Sequence, residues 1–545
     1  MERINLTIPQ NKQILLSPSR DKIKFILEKN KNIFNNYSFT ILNQPFKAVR
    51  ENNRKRVVQK ALTFSKIFDN NIEKKIDPSY KYIIQTGHQP NFFHPGIWIK
   101  NIFLEEVIKS LSFDKSIGLN IILDNDFYQE PSFYLPVFYN SKDLRLEKLN
   151  FLPISPKLPF EECMLPSLEL IKEFTEKIII KLKPLKDINL LNNFINFSHC
   201  LERSFHFCSQ RYKGGNLGEF LGMARRYSEN ELNPNYLELP FSKVCNSDGF
   251  LSFFLEIIQN IESFSRIYNN KLDEHRKLFK IRNKINPSAN LQIKENFIET
   301  PFWIWKKGDN RKKLYILKEQ EKIYLYNDLY GKLFFVEKNN PKILSMLKNA
   351  LKKKQIKIRP KALLLTLYNR LFVSDLFIHG LGGAKYDQVT DEIIKEYFKV
   401  EPPHFLVIST TLFLDLKSYY SPSETTISLL KKKLRDLDFN PERFFSNIDL
   451  PEKDRVQMKQ VVKKKTELIK KIKDTLLLPD DKRKISEEIK YINNLIREKL
   501  IPLKLELKQK IREDEKKEKQ FKICNFREFP FCFFSAKELR QLLNF

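Results

Sequence analysis

Two short segments gather the residue types that chemistry most often needs. The first, Thr86-Gly87-His88-Gln89-Pro90-Asn91-Phe92-Phe93-His94-Pro95-Gly96, holds two histidines and two glycines. The second, His379-Gly380-Leu381-Gly382-Gly383-Ala384-Lys385-Tyr386-Asp387, adds a third histidine, three glycines, a lysine, a tyrosine and an aspartate. The chain has only thirteen glycines and seven histidines in 545 residues, where average usage of roughly 7% would give about 38 glycines. Glycine permits positive φ and a close backbone approach to a ligand, so these loops are the candidate active-site segments. His88 and His94 can donate to phosphate oxygens or act as acid and base near neutral pH; the alternative is that both cap the loop and bond only to backbone. Thr86, Gly87, Gln89 and Asn91 are candidate ligand contacts of the same loop, and Lys100 lies one helical turn beyond. In the second segment His379, Gly382, Gly383, Lys385, Tyr386 and Asp387 are the candidates, although Gly382-Gly383-Ala384-Lys385 matches neither the P-loop nor the dinucleotide spacing.

Such residues need elements to hold them. Tyr82-Ile83-Ile84 is a short apolar run ending at Thr86-Gly87, and Ile97 to Leu111 has helical spacing. A second apolar run, Ile117 to Leu123, ends at Asp124-Asn125-Asp126. Strand, loop, helix and strand make a βαβ unit, whose ligand crevice lies outside the strand carboxyl ends. Backbone N–H groups at the helix start are expected to point into that crevice and favour phosphate or carboxylate. Asp124 and Asp126 can bind a hydroxyl, an amine or a magnesium ion there, or form a helix N-cap pair.

The predicted fold is α/β, with a Rossmann-like parallel-sheet core, helical insertions and a C-terminal antiparallel coiled-coil hairpin. Residues 1–75 read as a helical lead-in, 76–150 as the first half of the core, and 151–300 as a helical connecting insertion. Residues 301–450 read as the second half of the core: alternating runs at 300–305, 313–317 and 322–326 suit an antiparallel meander, and Arg359-Pro360 leads through an apolar helix to His379. Over 451–520, Met458, Val462, Ile469, Ile472 and Leu476, then Ile485, Ile489, Ile492, Ile496 and Leu503, keep heptad seams with Lys465 and Lys499 at skipped positions. Pro502 is expected to kink or interrupt the second arm. The tail, 521–545, turns apolar at Phe529-Pro530-Phe531-Cys532-Phe533-Phe534 and is expected to pack back on the core.

A net charge of +30 invites a nucleic-acid partner. That reading is not favoured, because lysine, asparagine, isoleucine, phenylalanine and tyrosine are abundant together while glycine is scarce, the signature of AT-rich codons, and no zinc-finger or RNA-recognition motif is present. No eighteen consecutive apolar residues occur and Met1 to Ser19 lacks a signal-peptide pattern, so a cytoplasmic protein without a membrane partner is expected. Six cysteines without a C-x-x-C pair fit a reducing compartment. His199, Cys200, His206 and Cys208 have the wrong spacing for zinc, and no metal site is expected. G-x-S-x-G, H-E-x-x-H and kinase motifs are absent.

The Thr86-Gly87-His88-Gln89 loop and helix, followed by a strand ending Asp124-Asn125-Asp126-Phe127, resemble the start of the bacillithiol-biosynthesis cysteine-adding enzymes. Arg359-Pro360, Gly382-Gly383 and the terminal helical hairpin fall in the order of that family. The resemblance implies a core of the class I nucleotide-binding transferase type, a coiled coil that joins two subunits into a homodimer, and a ligase that adds cysteine to glucosaminyl malate, an amino-sugar malate conjugate, through an amide. It also implies ATP or ADP with magnesium as cofactors. On this reading His88 and His94 transfer protons or stabilise charge, Asp124 and Asp126 orient the attacking amine, Arg359 contacts substrate, and Lys385 neutralises a phosphate or carboxylate from the opposite wall. His88 replaces a glutamine of the family pattern, and Pro90-Asn91 and His94-Pro95-Gly96 also depart from it, which marks a divergent branch. The alternatives are a nucleotidyltransferase or ligase of the same fold acting on another small molecule, or a basic nucleic-acid-binding or scaffold protein that uses its coiled coil.

Overall fold

A computed structural model describes residues 6–111, 115–128, 133–140, 143–153, 156–211, 215–319, 322–338, 340–416, 424–447, 451–473 and 478–543. The chain divides into two units, one of Met1–Val137, Leu146–Leu414 and Arg527–Phe545, the other of Phe138–Arg145 and Asp415–Phe526.

The larger unit is built on a mostly parallel sheet of β1 (Ile14–Ser17), β2 (Tyr82–His88), β3 (Ser116–Ile122), β4 (Leu237–Pro240), β10 (Leu376–His379) and β11 (Phe405–Thr410). Five further strands intervene in sequence: β5 (Phe297–Lys306), β6 (Lys312–Glu319), β7 (Lys322–Asn327), β8 (Gly331–Phe335) and β9 (Ile356–Pro360). Among the described residues the core order is β1-β11-β10-β2-β3-β4, and β5 to β9 form a separate antiparallel sheet. Only β1 runs antiparallel, against β11; the β11–β10, β10–β2, β2–β3 and β3–β4 pairs are parallel. From β2 the chain crosses to β3, and from β10 it crosses the other way to β11. The strand order therefore reverses between β2 and β10, the place at whose carboxyl ends such sheets hold their ligand crevice.

The predicted βαβ unit is present: the helix following β2 spans Pro95–Ser110, and β3 pairs with β2 from Ser116 opposite Tyr82 to Ile122 opposite His88. Two core strands escape the sequence pattern. β4, Leu-Glu-Leu-Pro, lies inside the stretch expected to be a helical insertion; it has four residues and carries a glutamate, so it shows neither an apolar run nor an alternation. Its Glu238 is fully buried because Arg225 Nη2 meets it at 2.6 Å. β1 lies in the stretch expected to be a helical lead-in. Arg359-Pro360 closes the separate meander sheet through β9 rather than entering the core.

Five helices of this unit position the site and its surroundings: α1 (Ile23–Asn35), α2 (Phe46–Ser65), α3 (Pro95–Ser110), α4 (Leu217–Ser228) and, after β10, α5 (Leu381–Ile393). Phenylalanines hold the 86–96 loop. Phe92 packs among the rings of Phe133, Phe151, Phe174 and Phe197 at centroid distances of 5.2 to 6.1 Å. The Phe531 N–H donates to Phe93 O at 2.7 Å, and the Phe531 ring lies 5.1 Å from that of Trp98.

The smaller unit contains α6 (Glu424–Phe439), α7 (Glu452–Ile472), α8 (Pro479–Lys499) and α9 (Ile501–Cys524). Leu437, Ile492, Ile496 and Leu500 are buried together, with Met458, Val461, Val462, Leu468, Leu503 and Leu507 packed around them. Lys465, expected at a skipped seam position, is buried and neutralised by Glu442 at 2.6 Å. Helix α8 stops at Lys499, and Pro502 falls in the first turn of α9, where its missing N–H leaves no intrahelical bond unmade. Leu476 of the expected seam lies outside the described residues.

Gly96 shows how tightly α3 sits on β11: a Cβ there would lie 2.5 Å from Thr410 O and 2.5 Å from Arg527 Nη2. Gly96→Ala should lower the unfolding free energy by about 1–3 kcal/mol, as overpacking does, despite the gain in helix propensity; urea denaturation measures the difference.

Candidate active site

The strands that border the crevice are tied to each other just before they end. Thr86 Oγ1 donates to Ile378 O at 2.9 Å, and the Leu123 N–H donates to His88 O at 3.0 Å. A Cβ at Gly87 would lie 2.8 Å from Ile121 O, so this position admits only glycine without moving backbone. Helix α3 then starts with its own cap. The Gly96 N–H donates to His94 Nδ1 at 3.0 Å, Pro95 has no N–H, and the Ile97 N–H donates to His94 O at 2.9 Å. The expectation that the α3 N-terminus offers open N–H groups to an anion is therefore corrected: its first turn is satisfied internally.

Both histidines of the loop bond to backbone through Nδ1, since His88 Nδ1 faces Gln89 O at 3.1 Å. A carbonyl partner requires His88 Nδ1 to carry the proton, which leaves the lone pair on Nε2; His94, accepting at Nδ1, carries its proton on Nε2, 3.6 Å from Glu528 Oε2. Burial, reinforced by Lys100, pushes His88 down to about 3. Burial and Arg527 do the same to His94. Both imidazoles are neutral at physiological pH, so they can orient and exchange a hydrogen bond but do not supply a fixed charge.

Lys100 supplies it. Its side chain leaves α3, and Nζ donates to Gly87 O at 2.7 Å. On the other side, a Cβ at Gly380 would lie 3.9 Å from Lys100 Cδ, which places the lysine stem along the backbone that opens α5. Lys100 is buried, no carboxylate pairs with it among the described residues, and burial pushes its ammonium down to about 7. Gly380 is the N-cap of α5 and provides no side-chain cap. The Ala384 N–H is the first to join the ladder, donating to Gly380 O at 3.1 Å, so the N–H groups of Leu381, Gly382 and Gly383 precede it and carry the positive end of the helix dipole. A Cβ at Gly383 would lie 2.9 Å from His379 Nδ1. His379 Nε2 meets Asp387 Oδ2 at 2.8 Å, and Arg370 bridges Asp387 and Asp391 at 2.5 and 2.7 Å. Burial lowers His379 more than Asp387 raises it. His379 and Asp387 thus brace α5 against β10, while Gly382 and Gly383 lie exposed at its start.

The remaining candidates separate from this group. Lys385 and Tyr386 project from α5 with exposed side chains. Asn91 Oδ1 accepts from the Phe92 N–H at 2.8 Å. Gln89 Nε2 donates to Asp126 Oδ2 at 2.8 Å, and Asp126 Oδ1 accepts from Arg311 at 2.9 Å and from the Phe127 N–H at 2.8 Å. Asp124 turns away, accepting from the Ser242 N–H at 2.8 Å and from Ser242 Oγ at 2.5 Å; burial and the charge of Glu161 push it up to about 7. Neither aspartate orients an amine at the crevice, because each carboxylate is occupied by protein donors. Arg359, expected at the substrate, is spent on Glu161, with Nε–Oε1 at 2.7 Å and Nη2–Oε2 at 2.8 Å. No group of three His, Cys, Asp or Glu side chains among the described residues is placed to hold a metal ion. The donors at the crevice fit a phosphate or carboxylate; they do not fit magnesium.

Sequence reasoning missed Arg527, which donates to Ser409 Oγ at 2.9 Å, Thr410 O at 3.0 Å and Thr411 Oγ1 at 3.0 Å at the carboxyl end of β11. It stands more than 400 residues from the loop it supports, and only the apolar run that follows it gave a signal. Also unforeseen is the buried network behind His88: Arg225 meets Glu229 at 3.1 Å, Trp98 Nε1 donates to Glu229 at 2.6 Å, and Asn120 donates to Glu238 at 2.9 Å. A cavity of about 20 Å³ lies between them, lined by His88, Asn101, Asn120 and Arg225.

No family model and no curated protein matches this chain. Among solved structures, the Plasmodium falciparum tryptophanyl-tRNA synthetase is similar at 11% identity over 88% of this chain and 95% of that one, with a TM-score of 0.19, which does not establish a shared fold. No helix among the described residues is long and apolar enough to cross a membrane.

Lys100 carries two expected outcomes. Its ordinary value of about 10.4 in the unfolded chain exceeds the folded value of about 7, so between those pH values the unfolded state binds more protons and stability should rise with pH. Lys100→Met should melt higher than wild type at pH 7, with the gap closing towards pH 10. Phosphate binding at pH 8 should draw in a proton, seen calorimetrically as a binding enthalpy that varies with the ionisation enthalpy of the buffer.

Proposed function

We propose that the protein is a carbon–nitrogen bond-forming ligase of the cysteine-adding type, acting on an amino-sugar conjugate such as glucosaminyl malate. The observation that supports it is Lys100, a buried lysine with no carboxylate partner among the described residues, set between the carboxyl end of β2 and the uncapped start of α5. The resemblance of the 86–96 and 124–127 segments to the cysteine-adding family supplies the substrate class.

In this reaction the amine nitrogen of the acceptor bonds to the cysteine carboxyl carbon as that carbon's bond to a carboxyl oxygen breaks, and the amine proton leaves with the departing phosphate. ATP, when bound, supplies the phosphoryl group that turns that oxygen into a leaving group. Lys100 and the N–H groups of Leu381, Gly382 and Gly383 hold the anion, as fixed donors aimed at developing negative charge. The lone pair of His88 Nε2 accepts a hydrogen bond from the attacking amine, and His94, braced near Glu528 and Arg527, keeps the loop in register. The reading also makes the chain a homodimer through residues 451–520, where Val456, Tyr491 and Leu505 expose apolar surface.

Incubating the purified protein with cysteine, glucosaminyl malate, ATP and magnesium should give, by mass spectrometry, a product heavier by one cysteinyl unit, with none when ATP is omitted. Lys100→Ala should lower turnover at least 100-fold without lowering the melting temperature. A folded wild-type protein that makes no product contradicts the cysteine-adding assignment.

A further inference from the structure

The same two core strands have a second charged site at their opposite ends. Asp375 immediately precedes β10; its N–H donates to Ile83 O at 2.8 Å and its Oδ2 accepts from the Ile83 N–H at 2.7 Å. Helix α2 places Arg50 and Arg54 one turn apart on one face, and both guanidiniums converge on the other oxygen of Asp375, at 2.9 and 2.6 Å. Two buried cations thus share one carboxylate, and one positive charge stays uncompensated at depth.

A cleft of about 420 Å³ opens over this pair, within the range of small-molecule sites. Its rim carries Lys31, Lys55 and Lys81, all exposed and none paired with a carboxylate among the described residues. Against these five cations the lining holds only Glu51 and Asp375 as acids. The Arg50 guanidinium lies 3.8 Å above the Phe34 ring; its Nε donates to Leu371 O and its Nη2 to Ser374 O, each at 2.8 Å. Those bonds fix the group rigidly, and Nη1 has no acceptor among the described residues. Burial, with Arg54 alongside, lowers Arg50 to about 10 against the pull of Asp375, the direction a bound anion would reverse. Tyr80 and Tyr82 form an apolar side wall.

We propose that this cleft is a second binding site, which takes a small phosphorylated molecule with its phosphate against Arg50 and Arg54 and its organic part along Tyr80 towards the lysine rim. A planar guanidinium with Nη1 free suits a phosphate oxygen, and the volume of the cleft suits a molecule of nucleotide size. The site is separate from the crevice and does not depend on the reaction assigned to it.

Calorimetric titration of the full chain with inorganic triphosphate tests this. The Lys100→Met variant, lacking the crevice cation, should still bind triphosphate. Adding Lys31→Glu, Lys55→Glu and Lys81→Glu to it should weaken that binding at least tenfold with the ligand-free melting temperature unchanged, since these exposed lysines hold no structural partner. Arg54→Lys, which keeps the charge and loses the fork, should weaken it by a smaller factor. Loss of all binding in Lys100→Met alone, undiminished binding in the triple-glutamate background, or binding of single-stranded RNA with none of triphosphate would each overturn the proposal.

Discussion

A buried lysine with no carboxylate beside it among the described residues is the constraint around which this molecule is arranged. Burial of charge is costly unless it is paired, and several buried cations have carboxylates of their own: Arg359 has Glu161, Arg370 has Asp387, Arg225 has Glu229 and Glu238, and Lys361 has Glu299. Lys100 has the carbonyl of Gly87 and the open end of α5. Both neighbours are features of the fold, since one is the last turn of β2 and the other the first turn after β10.

The architecture explains why those neighbours meet. Reversal of strand order between β2 and β10 brings together two loops that are almost 300 residues apart, and the Thr86 hydroxyl pins one strand to the other. The glycines then decide how close the pieces come. Gly87 fits against the Ile121 carbonyl, Gly96 against Thr410, and Gly383 against the His379 ring; at each position a side chain would push the crevice apart. Phenylalanine does the complementary work, with Phe92 and Phe531 holding the loop and the C-terminal segment in one aromatic cluster.

Much of this was legible in the sequence. Apolar runs ending in Thr86-Gly87 and Asp124-Asn125-Asp126 marked two parallel strands, alternation marked the meander, and glycine scarcity singled out both loops that border the crevice. Partners were not legible. Asp124 looks like a ligand until Ser242, 118 residues later, closes on it, and Arg359 looks available until Glu161 takes its Nε and Nη2. Strand β4 was missed because burial of its glutamate depends on Arg225, a contact that local periodicity cannot encode. The histidines illustrate the same limit: their type suggested proton transfer near neutral pH, but enclosure lowers both far below it, and the titrating group near 7 is the lysine that spacing had placed only as a neighbour.

The most direct measurement is the titration of Lys100 itself, followed by NMR through the carbon and protons adjacent to its ammonium, with Lys100→Met to assign the signal. The account predicts a midpoint near 7 in the free protein that moves upward when phosphate is added. A midpoint near the ordinary lysine value of about 10.4, unmoved by phosphate, would contradict it.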